Sequence, residues 1–247
     1  MGFRVYVVRH GTSKANIPEH CGKNVFEKWS RAFMHDPPLD AIGIANSTNF
    51  AQLHPNANQT YVCCSSLIRP MMTALLMFPD QEVIYVQPWI KEVGGTVNNM
   101  PLIQIQSQCD AIDAILGRGA SRRLDFRHVQ NLPGGRIISH PSSFWKLVGK
   151  QQPFLNAIRQ RGANIVIVAH GKMIREELLK PNAIESACDW FDDRLSASCI
   201  YEGNPNYKMK NNEIWKREYE FLHPDKVLPM TNSKWVKVFP GFPITCS

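Results

Sequence analysis

A three-layer α/β/α sandwich around a mostly parallel sheet, with a loop-rich cap insertion, is the fold class predicted for this chain of 247 residues, on three observations. Apolar runs of strand length recur at Phe3–Val8, Tyr61–Cys64, Val83–Val86 and Ile165–Ala169. None alternates cleanly with polar residues, as expected of strands covered on both faces. Helical periodicities lie between the runs, and strands alternating with helices build βαβ units with right-handed crossovers. Finally, residues able to do chemistry cluster just beyond the run ends, where open α/β sheets bind ligands.

The elements follow in order. Phe3–Val8 is rich in β-branched and aromatic residues and is read as the first strand. A weaker helix is expected from Asp40 through about Leu53. After Tyr61–Cys64, Ser66–Phe78 places Leu67, Met71, Ala74, Leu75 and Phe78 at steps of three and four. That stripe is read as core. Ser65 or Ser66 is the expected cap, and Pro70 falls in the early turns, where a missing N–H costs little. Residues 93–140 carry Gly94-Gly95, Gly117, Gly119 and Pro133-Gly134-Gly135 and are read as a loop-rich cap insertion. Ser142–Arg161 reads as a helix interrupted at Pro153. Another helix follows Gly171, with Ile174 and Leu178 on one face. Residues 203–247 are expected to give one more strand near Ile214–Leu222 and then a tail packed on the body. The whole, 1–247, is treated as a single domain.

Composition narrows the class. With 44% hydrophobic and 20% charged residues, the chain is neither a disordered tail nor a collagen-like repeat. A net charge of +7 favours anionic partners without naming one. Seven cysteines, without a C-x-x-C pair, argue against zinc-finger and thioredoxin chemistry and fit a reducing, cytoplasmic compartment. The first residues show no signal-peptide cleavage pattern, and no stretch approaches the ~20 apolar residues of a membrane span. No aromatic RNA-binding motif, zinc finger or basic helix accompanies the positive charge, so no nucleic-acid partner is expected.

The strand ends carry the chemistry. Phe3–Val8 runs into Arg9-His10-Gly11-Thr12, and Tyr61–Cys64 into Ser65-Ser66-Leu67-Ile68-Arg69. Glu92 follows Val83–Val86, and His170-Gly171 follows Ile165–Ala169. Guanidiniums offer forks of donors that fit phosphate oxygens. Imidazole can attack phosphorus, and a carboxyl can give a proton to a leaving oxygen and then take one from water. No carboxylate cluster or multi-histidine spacing for a metal accompanies them. Taken singly, each residue has a plainer reading: a turn at Arg9-His10-Gly11, a satisfied polar group at His170, a surface arginine at Arg69, a solvated Glu92.

Val7-Val8-Arg9-His10-Gly11-Thr12-Ser13-Lys14-Ala15-Asn16 resembles the signature of the histidine phosphatase superfamily, also called phosphoglycerate mutase-like. Asp36-Pro37-Pro38-Leu39-Asp40-Ala41-Ile42-Gly43 is similar to the family's loop into its first helix, and Cys64–Ala74 to its second arginine segment. Val166–Gly171 is similar to its second histidine strand. The resemblance covers about residues 3–202, with Leu195–Glu202 as a late strand. Because His170 is followed by glycine, it points to the cytosolic branch.

The resemblance implies a phosphatase that hydrolyses a phosphomonoester through a transient phosphohistidine on His10, with neither metal nor cofactor. Arg9, Arg69 and His170 would hold the phosphoryl oxygens. Gly11, Thr12, Ser13, Asn16 and Gly171 would line the phosphate site, and Glu92 would be the general acid and then base, with Glu82 as the fallback. The substrate would be a phosphorylated small molecule or phosphoprotein. Two alternatives stay open: a phosphomutase of the phosphoglycerate mutase type, and a catalytically silent phospho-ligand binder. Arg122-Arg123 stands where mutases use a basic pair. With Arg118, Arg127 and Arg136 it is read either as a solvated face or as contacts to a second anionic group on the substrate. Phe126, Trp89 and Trp145 either line an apolar part of the pocket or belong to the core.

Overall fold

The computed structural model describes residues 2–15, 34–53, 61–88, 90, 92, 97–100, 102, 104–130, 164–174, 209–223, 226–229 and 235–242. Within them lie β1 (Gly2–Arg9), α1 (Ala41–Leu53), β2 (Tyr61–Ser65), α2 (Ile68–Met77), β3 (Ile84–Gln87), α3 (Ile105–Leu116), β4 (Leu124–Asp125), α4 (Arg127–Gln130), β5 (Ile165–Ala169), α5 (Gly171–Met173), β6 (Ile214–His223), β7 (Lys226–Pro229) and β8 (Val236–Phe239). Single 3-10 turns occupy Val97–Asn99 and Ala120–Arg123.

The strands form one eight-stranded sheet in the order β4-β3-β2-β5-β1-β6-β7, with β8 also paired to β6. From β4 to β1 every pairing is parallel, and β6 runs antiparallel to β1. The architecture is the three-layer α/β class predicted from the apolar runs. All five residues of β2 and of β5 are buried, which is why neither shows alternation. Parallel register brings Arg9 level with Ala169 and Cys64 level with Val168. The residues just past β1, β2 and β5 therefore emerge on one edge of the sheet.

Helix α2 carries the second arginine. Nine of its ten residues are buried, Arg69 among them, because the sheet, α1 and α3 enclose it. Its Met/Leu stripe is core, as expected: Met71, Met72 and Leu75 pack with Val62, Val86 and Val168. Its cap differs from expectation. The N-cap is Leu67, and the Ile68 N–H is taken by Asp36 Oδ1 at 2.8 Å. Ser65 cannot serve, because its hydroxyl faces His170 Nε2 at 2.9 Å. Asp36 also accepts from the Leu102 N–H and from Gln108 Nε2, so one buried carboxylate joins α2, α3 and the segment between them.

Two segments are more regular than their composition suggests. Within the expected cap, residues 105–116 form a helix and Leu124–Asp125 an edge strand beside β3. Gly117 and Gly119 sit at the helix end at positive φ, so they punctuate structure rather than dissolve it, while Gly94-Gly95 lies outside the described residues. After Ile214 the chain gives three strands in place of one strand and a tail, and β6 is a direct partner of β1. The Ser142–Arg161 helix, the Leu195–Glu202 strand, Pro133-Gly134-Gly135, Arg136, Trp89 and Trp145 lie outside the described residues. Phe126 is buried in the core cluster.

Arg122 and Arg123 form the basic pair just ahead of β4. Leu124 is level with Ile84, which is level with Val62, so the basic pair sits at the amino end of these strands, opposite Arg69. Arg123 donates to the carbonyls of Leu75, Phe78, Pro79 and Gln81 at 2.8–3.3 Å, tying off the C-terminal end of α2. Arg122 is exposed beside Gly119. A cation on helix-end carbonyls satisfies orphan acceptors and the helix dipole, and the Arg123 contacts serve that purpose. Arg123→Ala is expected to cost about 1–3 kcal/mol of stability, seen as a lower melting temperature, while turnover per folded molecule stays at the wild-type value. Unchanged melting with a raised KM would restore the substrate-binding role. Arg127 is exposed and paired with Asp125 at 2.6 Å, and Arg118 is exposed.

No helix among the described residues is long and apolar enough to cross a membrane. Cys63, Cys64 and Cys109 are free thiols, and burial pushes all three up from the usual thiol range.

Candidate active site

The parallel strands bring four of the sequence-predicted residues together. His10, Arg69 and His170 are 2%, 4% and 0% exposed. The two imidazoles meet edge to face, ring centres 5.1 Å apart. Arg69 lies between them: its Nε donates to His10 Nε2 at 3.3 Å and its Nη2 to His170 Nδ1 at 3.4 Å. The far side of the guanidinium donates to the Asn98 carbonyl at 2.8 Å and to Asn99 Oδ1 at 2.9 Å. Two acceptors on one edge thus aim the other edge at both histidines.

Hydrogen bonding fixes the tautomers. His10 Nδ1 lies 2.6 Å from the Gly11 carbonyl, which can only accept, so Nδ1 carries the proton and Nε2 presents a lone pair. His170 Nδ1 accepts from Arg69, which leaves its Nε2–H to donate to Ser65 Oγ. Burial, with the Arg69 and Arg9 charges, holds His10 well below 6.5. Burial, Arg69, His10 and Arg9 do the same to His170. Burial also lowers Arg69 from its ordinary value, partly offset by Asp36 and Glu92.

Glu92 reaches the same place. Its Oε1 accepts from the Met173 N–H at 3.2 Å and its Oε2 is 3.8 Å from His170 Nδ1. An ion pair there would need a protonated His170; full burial and the neighbouring Arg69, His10 and Arg9 keep the ring neutral, so the contact is a proximity. The fallback, Glu82, precedes β3 and is exposed at the other end of the strand.

The remaining predicted residues are placed as follows. Arg9 ends β1, and its Nη1 donates to the Met209 carbonyl. A Cβ on Gly171 would lie 3.0 Å from Arg9 Nε, so glycine there lets the β5 end approach the guanidinium. The Gly11 N–H donates to Thr73 Oγ1 at 3.0 Å. The Thr12 hydroxyl donates to Asp40 Oδ1 at 2.8 Å. Asp40 Oδ1 also accepts from the Gly43 N–H at 2.7 Å, capping α1. Ser13 is buried and bridges to Leu39. Asn16 lies outside the described residues.

Several participants carry no signal in the sequence. Asn98 and Asn99 hold Arg69, and Thr73 holds the loop that follows His10. Gly43 is required by contact, since a Cβ there would fall 2.1 Å from the Thr12 carbonyl oxygen. Among the described residues no group of three or more His, Cys, Asp or Glu is arranged to hold a metal ion.

The structure resembles solved ones. The ecdysone phosphate phosphatase from Bombix mori, in complex with tungstate, superposes with a TM-score of 0.54 over 99% of this chain and 95% of that one, at 14% identity. The chain has the histidine phosphatase fold. A second neighbour, mycobacterial hydrolase 2, gives a TM-score of 0.50 over 99% of this chain and 93% of that one, at 15% identity. No family model matches the sequence, and no curated protein does.

Seating neutral histidines in a histidine phosphatase fold has a pH consequence. The unfolded chain takes up protons at these two imidazoles near pH 6.5, whereas the folded chain resists until well below it. Their contribution to stability is therefore complete above 6.5 and is lost as pH falls. Melting temperature is expected to drop between about pH 7 and 5, and His10→Gln to flatten that drop. An identical slope in the variant would assign the acid sensitivity to other groups.

Proposed function

We propose that the protein is a metal-independent phosphomonoester hydrolase that works through a phosphohistidine on His10. The observation that carries this reading is the neutral His10 ring, with Nδ1–H committed to the Gly11 carbonyl and the Nε2 lone pair facing Arg69. Two guanidiniums match the two charges of a phosphomonoester dianion, so charge balance is met by protein groups alone.

The reaction then runs in two halves. Arg9, Arg69 and His170 hold the phosphoryl oxygens, and Nε2 of His10 forms a bond to phosphorus as the ester P–O bond breaks. The leaving oxygen takes a proton from the Glu92 carboxyl. Water next attacks phosphorus and gives a proton to the Glu92 carboxylate; the N–P bond breaks, and inorganic phosphate departs with His10 restored. Tungstate, present in the complex of the Bombix mori neighbour, is a tetrahedral oxyanion like phosphate, which supports this use of the fold. The mutase alternative drew on Arg122-Arg123, and that pair lies at the other end of the sheet. Hydrolysis of a phosphorylated small molecule or phosphoprotein is the reading adopted.

The test is release of phosphate from an aryl phosphate with and without chelator, together with quenching in alkaline detergent during turnover of a 32P-labelled substrate, followed by acid treatment of the labelled protein. The expected result is chelator-insensitive turnover and an acid-labile, base-stable protein phosphate. Turnover that needs added metal, or a label stable to acid, would overturn the mechanism; tight phosphate binding without turnover would favour the silent binder.

A further inference from the structure

The turn at Met209–Glu213, just ahead of β6, grips the nucleophile loop through its backbone. The Arg9 N–H donates to the Glu213 carbonyl and the Asn212 N–H to the Arg9 carbonyl, both at 3.0 Å. The Met209 carbonyl receives Arg9 Nη1. Asn211, 2% exposed, donates from Nδ2 to the His10 carbonyl at 2.9 Å. Asn212 makes the turn at φ 59, a left-handed conformation that asparagine tolerates, and ties it to α1 through Ser47 Oγ at 3.0 Å. Glu213 closes it from beneath, accepting the Lys210 N–H and Trp215 Nε1.

The contact to His10 has a specific consequence. The peptide unit between His10 and Gly11 is held at both polar atoms: its oxygen by Asn211 and its N–H by Thr73 Oγ1. The next carbonyl, that of Gly11, is the one that takes the His10 Nδ1 proton. Glycine permits wide rotation about its own backbone. The clamp on the preceding peptide is what keeps that carbonyl within 2.6 Å of the ring.

Resting on the reading of His10 as nucleophile, we infer that Asn211 is a positioning residue that sets the His10 tautomer and aim by clamping the His10–Gly11 peptide. It touches no reacting atom. Without its N–H donor, the Gly11 carbonyl swings from Nδ1, the ring exchanges its proton between nitrogens, and the lone pair at Nε2 is lost for part of the time. The phosphate-holding arginines and His170 keep their own contacts.

Asn211→Asp is nearly isosteric, removes the donor and keeps a group that can donate again once protonated. Two readouts apply. Nitrogen-15 NMR of the histidine ring reports the tautomer without reference to activity: His10 is expected as Nδ1–H in the wild type and as a mixture in the variant near neutral pH. With p-nitrophenyl phosphate, kcat/KM is expected to fall about 10- to 100-fold, the cost of a displaced nucleophile, while the inhibition constant of inorganic phosphate moves less than about threefold. Lowering the pH toward about 5 should recover part of the loss as the carboxyl regains a proton. Asn211→Ala carries the same test if the aspartate variant does not fold, without the recovery at low pH. An unchanged His10 spectrum, or equal losses in turnover and phosphate affinity, would overturn the inference. A wild type that shows the Nδ1–H ring yet no turnover would sink the proposed reaction and leave the positioning role standing.

Discussion

His10→Ala is expected to lower turnover of an aryl phosphate by about 10⁴-fold or more and to abolish the protein-bound phosphate. No neighbour can substitute. The His170 ring is tied at both nitrogens, to Arg69 and to Ser65, and its centre is 5.1 Å from that of His10, so it does not fill the place the His10 ring leaves. Among the described residues, the thiols of Cys63 and Cys64 are fully buried and held up from the thiolate range, so they cannot take over as nucleophiles. The variant should still bind inorganic phosphate, because Arg9 and Arg69 are anchored by Met209, Asn98 and Asn99 rather than by the imidazole. Single-turnover quench experiments and phosphate calorimetry on the same preparation decide it. Full activity in His10→Ala would end the phosphohistidine mechanism; loss of both activity and phosphate binding would show that the ring shapes the pocket as well.

Arg69→Ala is the second large effect. It removes a charge-assisted donor fork facing the place where phosphoryl charge would develop in the proposed reaction, worth about 10²–10³ in rate for a single preorganised donor. Arg69→Lys should recover little, since a flexible point charge cannot address two imidazoles on one edge and two acceptors on the other. The variant also carries a pH signature. Arg69 is among the groups that hold His10 and His170 below their ordinary value. Without it both rings protonate more readily, and the acid limb of kcat/KM is expected to move up toward 6.5. A fall in activity with an unmoved acid limb would indicate that Arg69 acts on the substrate alone.

The parts of this molecule that could be read in its sequence share a cause. β1, β2 and β5 are covered in the middle of the sheet, so their apolar runs are nearly unbroken, and the parallel sheet sends their ends to one edge. Arg9, His10, Arg69 and His170 follow from that geometry. What the sequence does not reveal depends on contacts that no local pattern encodes. Asn98, Asn99 and Asn211 act through single amides or carbonyls and look like any turn asparagine. Arg123 reads as part of a basic pair, and only its four carbonyl partners reveal a helix tie. β7 and β8 are four residues each, and β8 is largely exposed, so they lack the apolar run that marks the central strands. Asp36 belongs to a legible loop motif, but its reach to α2 and α3 emerges only once those helices are packed together.

The order of the sheet also bears on how the chain is made. β1 is first in sequence, yet both of its neighbours, β5 and β6, come late. During synthesis its apolar backbone therefore waits without a ladder partner while more than half the chain is produced. Long-range pairing of this kind is slow and leaves strand edges open to wrong partners. The same delay keeps His10 without His170 beside it and without the Met209–Glu213 turn that bonds its backbone, so a partly made chain holds His10 but not the residues that orient it. Completion of the sheet and assembly of the His10, Arg69 and His170 cluster are then one event, and a nascent chain passes through its most aggregation-exposed stage before that cluster exists.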